Sequence, residues 1–139
     1  MKPLRLVLFL AALAAAAPLA AAEPIDGTWT TAEKSGQVRI GDCGGTRCGR
    51  LTKFLITPPQ GADQRDVKNP DPALRARKVL GIAILSGFKP DGAVWRGTIY
   101  DPKSGRSYRS IVKRRDPSTL EVKGCLGPFC QTQVWRRAN

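Results

Sequence analysis

The chain has 139 residues, 23 Lys and Arg against 11 Asp and Glu, and a formal net charge of +12. That length holds one domain with one modest core, and that charge favours anionic partners. The chain contains no His, which excludes Ser-His-Asp and Cys-His nucleophile machinery and removes the commonest metal ligand.

Residues 1–22 read as a cleaved secretory signal. Lys2 and Arg5 form a basic start, Leu6 to Ala17 an apolar run, and Ala20-Ala21-Ala22 a small-residue cleavage site. The run is too short and too rich in Ala for a spanning helix, so no transmembrane segment is expected after cleavage. Residues 23–139 are then a single domain, in the periplasm or secreted. Lys2 and Arg5 leave with the signal, and the net charge falls from +12 to +10.

Gly27-Thr28-Trp29-Thr30-Thr31 is a short β-prone run, and a turn at Lys34-Ser35-Gly36 leads into Gln37 to Ile40, where apolar and polar residues alternate. Arg50 to Ile56 reads as a third strand ended by Pro58-Pro59. The segment Gln60 to Lys78 breaks the pattern: a loop through Lys68, then Asn69-Pro70-Asp71-Pro72. Asp71 is placed to cap a short helix over Ala73 to Lys78, with Pro72 at its first position.

Leu80 to Leu85 is apolar throughout and reads as a buried strand, followed by a turn at Lys89-Pro90-Asp91-Gly92. The clearest unit follows. Val94 to Tyr100 alternates, Asp101-Pro102-Lys103-Ser104-Gly105 reverses the chain, and Ser107 to Lys113 returns. Lys113-Arg114-Arg115 is a charged strand end, and Asp116-Pro117-Ser118 turns again. Thr119 to Gly124 and Gln131 to Arg137 complete eight strands joined mostly by short turns.

Four Cys form two close pairs, Cys43 with Cys48 and Cys125 with Cys130. In an exported protein an even count points to disulfides. Each pair flanks a turn-like tetrapeptide, so local pairing across four-residue hairpin loops is expected. The rival is a site in which all four thiolates hold a metal, for which the spacing is loose and the compartment wrong. No metal and no other cofactor is expected.

Eight antiparallel strands in sequence predict an all-β fold, a small up-and-down barrel with one short helix between strands three and four. A two-sheet sandwich is the alternative, which periodicity alone does not separate from a barrel. Asp66, Asn69-Pro70-Asp71-Pro72, Leu74-Arg75, Leu80-Gly81, Leu85, Gly87, Trp95-x-Gly97-x-Ile99-Tyr100, Pro102, Gly105 and Tyr108 together resemble the exported bacterial domain family DUF2147. The early Cys pair and Trp135-x-Arg137 fit it too. The resemblance implies a small exported β-rich domain and brings no established activity. Gly27-x-Trp29 with a late Arg resembles the calycin signature of lipocalins and fatty-acid-binding proteins. It implies that Arg136 or Arg137 packs over Trp29 and closes one end of the barrel.

For function, Trp95, Tyr100 and Tyr108 are candidates to line a pocket, with Gly97 leaving room between them. Arg75 and Arg77 are candidates to clamp an anionic group at the barrel mouth, beside Asp66, Asn69 and Asp71. The plainer reading makes the aromatics core, the arginines partners of Asp66 and Asp71, and Asp71 a cap. The expected function is a non-enzymatic barrel that binds a small amphipathic or anionic ligand. A module whose basic surface meets lipopolysaccharide, anionic lipid or a protein is the second reading. A carboxylate-based envelope hydrolase or transferase is the third, with no nucleophile and base pair in view. Nucleic acid is not an expected partner, because export removes the encounter.

Overall fold

The structure, a computed structural model, describes residues 1–3, 11–17 and 20–139. Arg5 and the first five residues of the apolar run of the predicted signal, 6–10, therefore lie outside the described residues. Eight strands close into one antiparallel barrel in simple chain order. They are β1 (Gly27–Thr30), β2 (Gly36–Cys43), β3 (Thr46–Phe54), β4 (Ala83–Asp91), β5 (Val94–Asp101), β6 (Arg106–Asp116), β7 (Thr119–Leu126) and β8 (Phe129–Arg137). The barrel, not the sandwich, is the outcome: β1 pairs with β8 through Trp29 opposite Arg137 and Thr30 opposite Arg136.

The alternation read from the sequence decides which side chains fill the interior. Trp29, Val38, Ile40, Leu51, Leu85, Phe88, Val112, Leu120, Val122 and Trp135 are all buried there. Seven strands contribute them, at alternate positions except for the step from Leu85 to Phe88. The half-buried Trp95 and Ile99 of β5 pack against them, so the interior is a packed core. In an up-and-down barrel, connections fall alternately at two ends. The base carries the turns β2–β3, β4–β5 and β6–β7; the rim carries β1–β2, β3–β4, β5–β6 and β7–β8.

Three local expectations are corrected. First, the apolar run Leu80 to Leu85 is a strand only from Ala83 onward, and β4 continues through Pro90 to Asp91. Gly81 turns with φ of 94°, while Val79 and Ile82 reach into the core from the preceding loop. An apolar run reads alike whether strand or loop supplies the core. The turn shifts accordingly to Gly92-Ala93. Second, no helix spans Ala73 to Lys78: Asp71 accepts from the Ala73 N–H and caps a single 3-10 turn, Pro72–Leu74. Another 3-10 turn, Gly61–Asp63, interrupts the loop before it. Third, both disulfides form locally as expected, but each hairpin is tighter than four residues. Cys43 lies opposite Thr46 and Cys48 opposite Gly41, so that bridge is diagonal; Cys125 and Cys130 face each other directly behind Leu126 and Phe129.

A bulge at Gly87 explains the tight centre of the barrel. Ser86 pairs with Thr98 and Lys89 with Arg96, so Gly87 and Phe88 together oppose Gly97. The extra residue, with Gly87 at φ of 66°, turns Phe88 inward. A Cβ on Gly97 would lie 2.6 Å from the Phe88 ring. The space that the sequence reading kept for a ligand beside Gly97 is filled by Phe88.

Candidate functional site

At the base, the chain before β1 crosses the barrel and seals it. Ile25 is fully buried, and its carbonyl accepts from the Trp29 indole N–H at 2.9 Å. The Arg137 guanidinium lies 4.3 Å from the Trp29 ring centroid and donates to the Pro117 carbonyl. A side chain at Gly27 would overlap that guanidinium, which is why glycine, at φ of 136°, stands there. Of the two arginines the sequence left open, Arg137 covers the indole, while Arg136 donates to Thr119 Oγ1 at 2.8 Å. Trp95 also belongs to the base: its indole donates to the Glu23 carbonyl, and Arg47 stands over its ring. Arg47 in turn pairs with Asp26 and Asp42, and Arg114 with Glu23.

The rim gathers six of the other predicted residues into one polar cluster. Asp66 is fully buried and accepts from Tyr100 Oη at 2.5 Å, Asn69 Nδ2 at 2.9 Å and Arg77 Nε at 3.0 Å. Arg77 completes a two-point contact through Nη2 at 2.9 Å and lies over the Tyr100 ring. Asn69 passes the network on, accepting from the Asp71 N–H through its side chain and from Arg75 Nε through its carbonyl. Burial and the neighbouring Asp66 push the Tyr100 phenol up to about 12. Every buried polar side-chain atom of the cluster has a partner within the chain, so it pins the long connection Leu55–Ile82 across the rim. Gly105 belongs to the same clamp: a Cβ there would strike the Lys68 carbonyl.

The predicted aromatic pocket is thereby taken apart. Trp95 sits at the base, and Tyr100 stands five residues along the same strand, roughly 17 Å away. Tyr108 pairs with Ile99 and lies beside Gly124 inside the wall. Trp95, Tyr100 and Tyr108 do not converge on one cavity, and Arg75 and Arg77 bind the protein's own carbonyl and carboxylate.

A different feature opens at the rim. β1 has four residues and β8 nine, and the two pair only at Trp29–Arg137 and Thr30–Arg136. Above Thr30 the chain leaves the wall through a turn in which Thr31 Oγ1 accepts from the Ser35 and Gly36 N–H groups. The result is a groove of about 430 Å³ lined by Thr30, Thr31, Ala32, Lys34, Leu55, Val134 and Arg136. Its floor is methyl and aliphatic, and its two charged residues are both cations. Among the described residues, Lys34 is the only non-glycine with a left-handed backbone, φ 54°. A shallower depression of about 280 Å³ lies outside β3, between Thr52–Phe54 and Leu80. Sequence reasoning missed the groove. The signal for it was the shortness of the first β-prone run beside the long last strand.

The description "Uncharacterized protein conserved in bacteria (DUF2147)" matches residues 27–137, nearly the whole barrel. The chain belongs to the DUF2147 family. The DUF2147 barrel also superposes on a solved structure described as "Protein HP1028 from the human pathogen Helicobacter pylori belongs to the lipocalin family". The TM-score is 0.73, with 23% identity over 84% of each chain. At that identity the likeness shows a lipocalin-like fold. No curated protein sequence matches the chain significantly.

Proposed function

We propose that this DUF2147 protein is an exported, non-enzymatic barrel that carries a small amphipathic anion in the groove between β1 and β8. Export is supported by the signal-like composition of residues 1–22 and by two disulfides, which persist in oxidising compartments. The buried carboxylate Asp66 is fully engaged in holding the long connection, which leaves it no role as an acid or base. The observation that carries the reading is the groove itself. Its volume falls within the range of small-molecule sites, its floor is apolar, and Lys34 and Arg136 are its charges. The aliphatic part of a ligand lies against Leu55, Ala32 and Val134, and its anionic group meets Lys34.

Lys34 gives the test its edge. A left-handed φ suits glycine, so Lys34→Gly relieves the backbone and keeps or raises stability. Calorimetric titration with decanoate, as an amphipathic anion, is expected to show saturable binding to the native protein. Lys34→Gly weakens it about fivefold, the worth of one partly exposed ion pair. Absence of decanoate binding, or equal binding by the variant, would overturn the proposal.

A further inference from the structure

We infer that the rim of the barrel docks on an anionic lipid bilayer, with Leu126 and Phe129 as its inserted tip. In residues 23–139 the exposed large apolar side chains are Leu55, Ile56, Val67, Leu74, Leu80, Leu126 and Phe129. All of them lie in the β3–β4 connection or flank the β7–β8 turn, which are rim elements. The three base turns carry none. Apolar atoms scattered over a surface are ordinary, but large side chains confined to one end of a barrel are not scatter.

The tip is the most exposed part, with Leu126 at 70% and Phe129 at 80%. Between them runs Gly127-Pro128, and directly behind them the Cys125–Cys130 bridge ties the two strands. Arg109 donates to the Gly127 carbonyl, holding the turn against β6. Two protruding hydrophobes are therefore presented on a stiff hairpin. Stiffness lowers the ordering cost of inserting them.

Charge selects the surface. Of the rim carboxylates, Glu33 is paired with Lys103, Asp63 with Lys78 and Asp66 with Arg77. Asp71 and Asp101 form no salt bridge among the described residues and accept from the Ala73 and Lys103 backbone N–H groups. The pairing holds the Glu33 and Asp63 carboxyls below their ordinary range. Lys34, Arg65, Lys68 and Arg75 are exposed and take part in no salt bridge among the described residues. Apolar side chains and cations without a carboxylate partner thus share one end of the barrel, Arg65 and Arg75 donating only to backbone carbonyls. Together they match the interface of an anionic bilayer, where insertion and headgroup attraction add together.

The test expresses the full chain, purifies the exported product and measures co-sedimentation with phosphatidylglycerol-containing vesicles against pure phosphatidylcholine vesicles. Binding is expected to the anionic vesicles, and to fall about tenfold or more between low and physiological salt. Leu126→Ser with Phe129→Ser, at exposed positions outside the core, loses the binding while thermal unfolding stays near that of the parent. Lys68→Glu weakens it in the anionic vesicles alone. No binding to anionic vesicles overturns the inference, as does retention of full binding by the double serine variant or equal binding to both vesicle types. None of the three substituted residues, Lys68, Leu126 and Phe129, lines the β1–β8 groove, so the variants separate vesicle binding from decanoate binding.

Discussion

The two ends of this barrel solve opposite problems. At the base no large apolar side chain among the described residues is exposed: Trp29 lies under Arg137, the half-buried Trp95 under Arg47 and beside Glu23, and Ile25 is buried in the crossing N-terminal segment. At the rim the covering segment is long, held by one polar cluster, and leaves hydrophobes and cations facing outward. The base spends its aromatic and arginine residues on closure. The rim spends its buried polar residues on positioning a connection and keeps its exposed ones free for contact. Arginine at the two ends thus does different things, which residue type alone does not reveal.

Breaking each end separately sharpens that contrast. Trp29→Ala removes the central plug of the base and is expected to cost about 4 kcal/mol in urea denaturation, the usual loss for a buried tryptophan. A loss below about 1 kcal/mol would mean that the base is not the stabilising end. Asp66→Ala strands Tyr100, Asn69 and Arg77 at the rim and is expected to cost about 2–3 kcal/mol. Limited proteolysis should then cut first within residues 57–82, with the strands protected. Cutting elsewhere first would show that the cluster does not hold this connection.

The smallest effect is at alkaline pH. The Tyr100 phenol is raised from 10.0 to about 12 in the folded state. The unfolded chain therefore ionises first, and the stabilisation is complete below pH 10.0 and lost as pH climbs towards 12. Tyr100→Phe should lack this part of the alkaline decline in the urea midpoint between pH 10.0 and about 12. An identical slope in parent and variant would contradict the burial of that hydroxyl against Asp66.

The barrel was legible because period-two alternation and Pro, Gly and Asp turns mark each strand of the β5–β6 hairpin and its neighbours. The Trp29 and Arg closure was legible too, except for the choice of Arg137, which depends on the side of β8 that faces Gly27. What the sequence hid are features of relative length and of bulges. Phe88 enters the core only because Gly87 adds a residue opposite Gly97. The groove exists only because β1 stops at Thr30 while β8 runs on to Phe129. Asp66, Asn69, Tyr100 and Arg77 could be picked out as special, but not what they meet, since residues 34 positions apart satisfy one another.

The division between a sealing base and a contacting rim is tested most directly by mapping backbone amide chemical shifts during a decanoate titration. The account predicts saturable changes centred on Thr30, Thr31, Ala32, Lys34 and Val134, with the amides around Trp95, Arg47 and Gly27 unmoved. Changes centred on those base residues, or no saturable change anywhere, would contradict it.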